Sequence, residues 1–346
     1  MKKIAFLVSR LGSGGAERVI SVLATHFAKK GYGVTLFVFS KEAKYAIDER
    51  IEVIQLNDNA SKLKKVTGRC KQAHDFMKKN QIAAIITFEL YYAFVLSKYK
   101  DIRVITSCRN YPKSEFKSPI GRMIQYWTFL RAAHVVFQTE EQKKLFRRVH
   151  RYSIIPNPVN DEVFRIQRTA AEKKIVTVSR LEEQKNIGLL LDAMIDFHER
   201  YNEYILEIYG EGQLLQTYRQ YTEEKKASPY IFFKGFCPNA LSCIANASAF
   251  VLTSDFEGMP NALMEALSLG IYSVATDSYG GGTKALIRDG YNGKLVPMND
   301  RKALVESLLL LETDPEAVKE MEENARKERE KYSSENIGVL WEKLIA

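Results

Sequence analysis

The stretch DFEGMPNALMEA, residues 255–266, tells more about this chain than any other. Gly258 and Pro260 predict a turn that leads into a helix, because proline is favoured at the first helical position. Glu257 would then lie in the loop before the helix, and Glu265 about two turns inside it. A helix start offers free backbone N–H groups and the positive end of the helix dipole. The stretch therefore predicts a site that binds hydroxyl groups through carboxylates and an anion through amides.

Length and composition indicate a globular protein of two domains. The chain has 346 residues, 46% hydrophobic and 27% charged, which is long for a single core. The apolar run at residues 4–8 is shorter than the core of a signal peptide, and no run approaches a membrane span. Cys70, Cys108, Cys237 and Cys243 have no C-x-x-C spacing. We therefore expect neither a zinc site nor a disulfide framework, and a location in the reducing cytoplasm.

Positive charge is concentrated in the first half of the chain. Residues 1–158 carry 29 Lys and Arg against 12 Asp and Glu, a balance of +17. The remainder carries 22 against 30, a balance of −8, which leaves the net charge at +9. A basic half of this size favours an anionic partner, either nucleic acid or an anionic membrane surface, over a solvated charged face. Stretches 62–71 and 143–152 interleave basic and apolar residues, which indicates peripheral contact with anionic lipid.

Short apolar runs alternate with helical patterns, which predicts two doubly wound α/β domains. The expected strands are 3–8, 34–39, 82–88, 102–106 and 134–138, then 174–179, 204–209, 231–234, 249–253 and 271–276. The expected helices include 16–30, 187–200, 301–311 and 315–331. Two prolines in residues 154–159 place the interdomain link there. We predict domains over 1–158 and 159–330, and a C-terminal helix in 331–346 that packs back on the first domain.

The glycine-rich turn after the first strand does not predict a nicotinamide site. Residues 12–17 begin like the G-x-G-x-x-G fingerprint, but Glu17 stands where the third glycine belongs. The second strand also ends without an acidic residue for a ribose hydroxyl. Gly14 and Gly15 still allow the backbone to approach a ligand closely at a helix N-terminus. A tight turn without a ligand explains the two glycines equally well.

Several segments of the second half follow predicted strands, where ligands bind in open α/β sheets. Arg180 and Lys185 lie after the first of these strands, and a guanidinium with an ammonium suits a diphosphate. The other segments are Gly210-Glu211-Gly212, residues 233–236 ending at Phe236, the Glu257 and Glu265 pair, and Gly280-Gly281-Gly282. Taken singly, each also fits a surface cation, a core strand, a tight turn or a helix start with incidental acids.

Together these residues resemble the donor half of the family 4 retaining glycosyltransferases, which have the GT-B fold. The spacing Glu-x7-Glu of Glu257 and Glu265 is similar to the signature of that family, and the resemblance covers nearly the whole chain. Residues 14–18 and 286–293 fit it as well. The resemblance implies an α/β fold of two Rossmann-like domains facing each other across a cleft. The first domain would bind the acceptor and the second the nucleotide-sugar.

The resemblance also implies a role for each site residue. Arg180, Lys185 and Glu257 would be catalytic, with both cations neutralising the departing diphosphate and Glu257 contacting the transferred sugar. Glu265 would bind the ribose hydroxyls. The implied donor-binding residues are Gly14, Gly15, Gly210, Glu211, Phe236, Gly258, Met259, Pro260, Asn261 and Glu265. No cofactor or metal is implied, and the sequence has no D-x-D between a strand and a loop.

On the acceptor side, Arg109 and Asn110 occupy a loop where many family members have a histidine or an acid. An arginine here would bind a phosphate of the acceptor. The resemblance implies transfer of a hexosyl or N-acetylhexosaminyl group, from a UDP-sugar by preference, to a hydroxyl of a polyprenyl-diphosphate-linked glycan. That acceptor belongs to cell-surface polysaccharide or glycan assembly and places the protein on the cytoplasmic face of the membrane.

Three alternatives remain open. Another GT-B enzyme acting on sugar nucleotides, such as an epimerase, would share the fold but not the combination of Glu257, Glu265, Arg180 and Lys185. A nucleic-acid-binding protein would need aromatic platforms or a recognition helix among its basic residues, and the sequence shows neither. The third alternative is a non-catalytic sugar-binding subunit, which the intact set of four charged residues disfavours.

Overall fold

Two parallel β-sheets flanked by helices form the framework of the chain. A computed structural model describes residues 2–12, 14–40, 47–57, 62–115, 118–168, 171–237 and 239–345. The chain divides into two units, Met1–Pro158 with Tyr332–Ala346, and Val159–Lys331. Each unit contains one of the two sheets. The prediction of two Rossmann-like α/β domains is therefore confirmed.

The described residues of the first unit form a seven-stranded sheet. Its strands are β1 (Lys3–Leu7), β2 (Gly33–Val38), β3 (Glu52–Gln55), β4 (Ala84–Thr87), β5 (Arg103–Cys108), β6 (His134–Phe137) and β7 (Tyr152–Ile154). The connecting helices are α1 (Gly15–Lys29), α2 (Lys62–Lys79), α3 (Leu90–Leu96), α4 (Pro112–Glu115), α5 (Pro119–Arg131) and α6 (Glu140–Lys144). The strand order is β3-β2-β1-β4-β5-β6-β7.

Strand β1 shows why the sequence forms a buried parallel strand. Side chains alternate between the two faces of a strand. Ile4 and Phe6 accordingly belong to one apolar cluster, with the inner face of α1. Ala5 and Leu7 belong to another, with the inner face of α2. Because helices cover both faces of the sheet, its central strands are apolar at nearly every position.

The described residues of the second unit form a six-stranded parallel sheet. Its strands are β8 (Glu172–Val178), β9 (Ile205–Tyr209), β10 (Ile231–Gly235), β11 (Ala247–Leu252), β12 (Tyr272–Thr276) and β13 (Lys294–Val296). The helices are α7 (Ile187–His198), α8 (Leu215–Glu224), α9 (Ala240–Ile244), α10 (Asn261–Leu269), α11 (Gly282–Leu286), α12 (Arg301–Thr313) and α13 (Pro315–Lys327). The strand order is β10-β9-β8-β11-β12-β13.

The C-terminal segment belongs to the first unit. Helix α14 (Ser334–Glu342) packs against α1, and Trp341 and Ile337 are fully buried in the same apolar cluster as Phe27 of α1. A Cβ at Gly338 would overlap the His26 ring, so glycine allows the two helices to approach closely. The Nε2 atom of His26 also lies 2.7 Å from a carboxylate oxygen of Glu342.

One expectation about the cysteines is wrong. The structure joins Cys237 and Cys243 in a disulfide, where the sequence analysis expected no disulfide framework. Cys237 lies before the short helix α9, and Cys243 lies within it. Cys70 and Cys108 are free and buried. The cysteine pattern therefore no longer supports a reducing compartment.

Candidate active site

The candidate site of the second unit lies where the order of strands in the sheet reverses. Strands β9 and β10 lie on one side of β8, and strands β11, β12 and β13 lie on the other. In open α/β sheets, ligands bind outside the carboxyl ends of the strands at such a switch point. The switch point here is between β8 and β11. Lys185 follows β8 in the chain and Glu257 follows β11.

Lys185 and Glu257 form a direct ion pair at this switch point. The Lys185 ammonium lies 2.5 Å from Oε1 of Glu257, and both side chains are largely shielded from water. The hydroxyl of Ser254, which is fully buried, donates to the same carboxylate oxygen at 2.7 Å. The structure thus brings together two residues that the sequence analysis assigned to catalysis.

Hydrogen bonds to the backbone hold the two loops of this ion pair against each other. The Gln184 side-chain amide donates to the carbonyl oxygen of Phe256 at 2.7 Å. The Asp255 amide donates to the Gln184 carbonyl at 2.9 Å, and the Thr253 hydroxyl donates to the Lys185 carbonyl at 3.0 Å. Bonds on both sides of the ion pair fix the separation of its two charges, as a preorganised electrostatic site requires.

Helix α10 begins slightly later than the sequence analysis expected. Pro260 is the N-cap with extended backbone dihedrals, and Asn261 is the first helical residue. Glu265 is consequently the fifth residue of α10, in its second turn, and not two full turns inside. It is almost completely buried, as are Met259 and Pro260. The loop and helix still arrange Glu257 and Glu265 at the same helix N-terminus, as predicted.

Arg180 is oriented differently from the expectation. Its side chain is 65% exposed, and its guanidinium forms an ion pair with Glu182 at 3.0 Å. The structure therefore does not bring Arg180 to the buried pair of Lys185 and Glu257. A short local ion pair with a residue two positions along satisfies the guanidinium at the surface. Its role at the diphosphate remains a prediction.

Glycines in the predicted donor segments allow loops to touch. Gly210 has a φ of +137°, and a Cβ there would overlap the carbonyl oxygen of Ser179. A Cβ at Gly282, the first residue of α11, would overlap the carbonyl oxygen of Gly258. The glycines thus have a packing role that a ligand-based interpretation alone did not include. They join the loops after β9 and β12 to the loops after β8 and β11.

The other predicted donor residues lie apart from this ion pair or in the other unit. Glu211 is exposed. Phe236 is exposed too, and it follows a register shift between Phe233 and Gly235 on strand β10. In the first unit, Gly14 is the N-cap of α1 and Gly15 its first residue, while Ser13 of the same loop lies outside the described residues. The donor contacts of these residues stay predictions.

In the first unit, Arg109 lies in a polar cluster at the carboxyl end of β5. Its guanidinium donates to Oδ1 of Asn157 and to Oγ of Ser107, and it stacks over the Phe88 ring at 4.4 Å. Burial lowers the pKa of the Arg109 guanidinium to about 9, so the group stays cationic at neutral pH. None of these partners is a carboxylate. Binding of an acceptor phosphate by this cation stays a prediction.

Sequence reasoning did not single out two further polar residues, Ser254 and Glu89. Ser254 positions the Glu257 carboxylate, as described above. Glu89 follows β4 and accepts a hydrogen bond from the Ser9 amide at 2.9 Å, at the switch point between β1 and β4. Ser254 and Glu89 each lie two residues after the end of a buried strand. A polar residue at that position was the signal that could have identified them. Asn110 lies near Arg109, where its side-chain oxygen accepts from the Tyr111 amide.

Several apolar residues of the two basic stretches pack inside the first unit. In α2, Cys70, Ala73 and Met77 pack into the core of the first unit. In the 143–152 stretch, Phe146 and Val149 are buried in another apolar cluster. These positions belong to the protein interior, whereas Leu145 and Tyr152 of the second stretch are 36% and 38% exposed.

Neither a membrane-spanning helix nor a metal-binding cluster occurs among the described residues. None of the helices in the described ranges combines the length and the apolar character needed to cross a bilayer. Nowhere in the same ranges do three or more His, Cys, Asp or Glu side chains come together as metal ligands would. Metal independence and membrane association both remain predictions.

Sequence comparisons identify the family of the two units. Residues 159–328 match the family described as Glycosyl transferases group 1, and residues 13–163 match Glycosyltransferase Family 4. The chain belongs to the family 4 glycosyltransferases. The family 4 resemblance seen in the residues of the candidate site is therefore confirmed. The two matches together span both units of this glycosyltransferase.

Two relatives from Campylobacter jejuni subsp. jejuni match this glycosyltransferase along its length. One is named GalNAc-alpha-(1→4)-GalNAc-alpha-(1→3)-diNAcBac-PP-undecaprenol alpha-1,4-N-acetyl-D-galactosaminyltransferase. It is 27% identical, over 100% of this chain and 99% of its own. The other is N-acetylgalactosamine-N,N'-diacetylbacillosaminyl-diphospho-undecaprenol 4-alpha-N-acetylgalactosaminyltransferase, 26% identical over 91% of each chain.

Solved structures support the fold. Anabaena Alr3699/HepE in complex with UDP and glucose aligns with a TM-score of 0.85 over 100% of this chain and 99% of that chain, at 16% identity. A point mutant of S. aureus TarM, in complex with Fondaparinux, alpha-GlcNAc-glycerol and UDP, aligns with a TM-score of 0.83 over 99% of both chains, at 16% identity. These similarities confirm the predicted GT-B architecture.

Proposed function

We propose that this glycosyltransferase moves a hexosyl or N-acetylhexosaminyl group from a nucleotide-diphosphate sugar, with UDP favoured, to a hydroxyl of a polyprenyl-diphosphate-linked glycan. We further propose that it retains the anomeric configuration, needs no metal, and works at the inner face of the cytoplasmic membrane. The names of both Campylobacter relatives specify undecaprenol-linked acceptors, and the Anabaena structure was solved with UDP. Cell-surface polysaccharide or glycan assembly is the process that uses such a reaction.

The ion pair of Lys185 and Glu257 is the observation that carries the proposal. It lies at the switch point of the second sheet, with Glu265 buried on the helix that follows. A cation and two carboxylates at this point suit a ligand that combines a diphosphate with hydroxyl groups. A binding site for nicotinamide dinucleotide would need a different fingerprint, which the chain lacks.

The chemistry required is cleavage of the anomeric carbon–oxygen bond of the donor. The electron pair of that bond leaves with the nucleoside diphosphate, while positive charge develops on the sugar. Lys185 would stabilise the leaving diphosphate more in the transition state than in the ground state, which is the condition for catalysis. Glu257 would contact the transferred sugar. The acceptor hydroxyl would attack from the face that the leaving group vacates, and its proton would pass to the departing diphosphate oxygen.

The proposal is tested with the purified protein and a panel of sugar nucleotides. A donor that binds raises the thermal midpoint, because a ligand specific for the folded state stabilises it. The stabilising donor is then incubated with a polyprenyl-diphosphate-linked glycan, with and without EDTA. We expect nucleoside diphosphate and an elongated glycan in both reactions, and proton NMR of the new linkage reports the anomeric configuration.

The same experiment separates the alternatives. An epimerase would convert the sugar nucleotide without any acceptor, and a non-catalytic subunit would bind the donor without releasing nucleoside diphosphate. A nucleic-acid-binding protein would show no thermal shift with any donor. Each of these three outcomes would contradict the proposed transfer reaction.

A further inference from the structure

Helix α5 exposes large apolar side chains on its outer face. Ile120 is 66% exposed, Met123 55% and Trp127 50%. At about 100° per residue these three side chains lie within about 60° of one another around the helix axis. The opposite face of α5 is buried through Gln125, Thr128, Phe129 and Gly121. The helix is thus packed on one side, with an apolar stripe of Ile120, Met123 and Trp127 on the other.

Basic residues lie near the C-terminal end of this apolar stripe. Leu130, which follows on α5, lines a cavity of about 200 Å³ together with Arg148 and Arg151. Arg131 ends the helix, and its guanidinium lies 5.8 Å from the Phe94 ring of the neighbouring helix α3. Residues 142–160 contain five Lys and Arg but no Asp or Glu. Glu140 and Glu141 directly precede this segment, so the excess of positive charge lies with Arg131, Arg148 and Arg151 at the C-terminal end of α5.

We propose that the outer face of α5 is the surface through which the protein docks on an anionic lipid bilayer. Ile120, Met123 and Trp127 would insert at the boundary between headgroups and acyl chains, where a tryptophan is especially favoured. Arg148, Arg151 and Arg131 would contact lipid phosphates beside them. The occupant is a bilayer because the stripe is apolar while its C-terminal end is basic, the combination that anionic membranes attract.

This inference rests on the membrane association proposed above and names its surface. It also replaces the two basic stretches of the sequence analysis as the lipid-inserting elements. Cys70, Phe146 and Val149 of those stretches are buried. The three apolar residues of the α5 stripe are each at least half exposed. Arg148 and Arg151 of the second stretch keep a role, as the cationic end of the α5 surface.

Trp127 provides a direct reporter for the test. The chain has two tryptophans, and the other, Trp341, is fully buried. Full-length protein is mixed with vesicles of phosphatidylcholine, with or without phosphatidylglycerol, and binding is measured by sedimentation. On anionic vesicles we expect Trp127 emission to shift to shorter wavelength and its quenching by acrylamide to fall. On neutral vesicles we expect much weaker binding.

Two variants separate the apolar and the cationic contributions. Ile120→Ser/Met123→Ser keeps the Trp127 reporter, and we expect it to bind anionic vesicles at least about tenfold more weakly. Arg148→Gln/Arg151→Gln should lose about tenfold at low salt and show a smaller dependence on salt. The control is Val339→Ser/Leu340→Ser, which removes two exposed apolar residues from α14 of the same unit and should bind like the wild type. Circular dichroism confirms that each variant is folded.

The outcomes distinguish this inference from the proposed function. If the wild type binds no vesicle, membrane association itself is wrong, while transfer to an acceptor in detergent remains measurable. If the wild type binds but the Ile120→Ser/Met123→Ser variant binds equally well, the α5 inference alone is wrong. A third outcome is a dimer that forms without vesicles, shields Trp127 and is dissociated by the Ile120→Ser/Met123→Ser variant. The outer face of α5 would then mediate self-association, and the inference would also be overturned.

Discussion

The ammonium of Lys185 lies 2.5 Å from Oε1 of Glu257, although 72 residues separate them in the chain. Ser254 donates a hydrogen bond to the same oxygen. One of the paired residues is predicted to face the diphosphate of the donor and the other its sugar. Because the pair is largely buried, removal of either residue leaves the charge of the other uncompensated. Stability and catalysis are therefore linked at this point.

We expect Lys185→Ala to lower both turnover and stability. Loss of the cation removes a stabiliser of the leaving diphosphate, which reduces turnover by about 100-fold or more. It also leaves the Glu257 carboxylate buried without its cation, at a cost of about 3 kcal/mol in the free energy of unfolding. Turnover at saturating donor and urea denaturation measure the two effects.

The double variant Lys185→Ala/Glu257→Gln is the control for this experiment. It removes the uncompensated charge, so we expect most of the stability to return while turnover stays low. A folded Lys185→Ala protein with near-normal turnover would contradict the assigned role of the lysine.

Arg180→Ala tests the second predicted cation without affecting stability. Arg180 is mostly exposed and its ion pair with Glu182 is at the surface, so the free energy of unfolding should change by less than about 1 kcal/mol. If Arg180 acts on the diphosphate, turnover falls by about 100-fold. Arg288→Ala is the matched control, because Arg288 is similarly exposed and paired with Glu328 in the same unit. Equal turnover of both variants would remove Arg180 from the catalytic set.

Gly282→Ala should damage the donor site through the backbone. The new Cβ would overlap the Gly258 carbonyl oxygen and push away the loop that carries Glu257. We expect a loss of about 1–3 kcal/mol in stability, as for other overpacked sites, and a higher KM for the donor. Gly188→Ala in α7 is the control, since a Cβ at that position would meet no atom within 4 Å. An unchanged donor KM in a folded Gly282→Ala protein would show that this loop contact does not shape the site.

Arg109→Gln should weaken binding of the acceptor and leave the donor unaffected. The variant removes a cation whose described partners are Asn157, Ser107 and Phe88, with no carboxylate among them. A lost charged hydrogen bond to phosphate corresponds to at least about a tenfold rise in the acceptor KM. Steady-state kinetics with each substrate varied in turn measure this. A rise confined to the donor KM would place Arg109 elsewhere in the mechanism.

Thiol titration tests the disulfide. In the native protein we expect little reaction with an aromatic disulfide reagent, because Cys237 and Cys243 are paired and burial raises the pKa of the Cys70 thiol to about 12. Cys108 is buried as well. After a mild reductant, two thiols should react, and Cys237→Ser/Cys243→Ser should show no such increase. Two reactive thiols before reduction would mean that the pair is not bonded.

The central strands could be predicted from the sequence, but several edge strands could not. β1, β2 and β4 are covered on both faces, so their sequences are almost continuously apolar. Three short edge strands were missed, namely β3, β7 and β13. They are three or four residues long and partly exposed, so neither their length nor their hydrophobicity distinguishes them from loops. β7 in fact begins just before the segment that the prolines had marked as a link.

The candidate site, too, could be predicted only in part from the sequence. The sequence identified Lys185, Glu257 and Glu265 by residue type and by their places after strands or in the next helix. It could not show that Lys185 pairs with Glu257, because that contact depends on the order of strands in the sheet. Nor could it show that the Arg180 side chain pairs locally with Glu182 at the surface. The interleaved basic pattern of residues 62–71 likewise could not show that Cys70 packs into the core of the first unit. A helical period alone does not tell which side the protein core covers.

The position of α14 in the first unit has a consequence for synthesis on the ribosome. Trp341 and Ile337 complete an apolar cluster whose other members come mostly from the first part of the chain. The first unit therefore cannot finish its core until translation reaches α14, whereas the second unit, Val159–Lys331, is continuous in the chain and precedes that helix. The nascent N-terminal half thus exposes the apolar surface of α1 until α14 is made, and apolar surface exposed in this way is prone to aggregation.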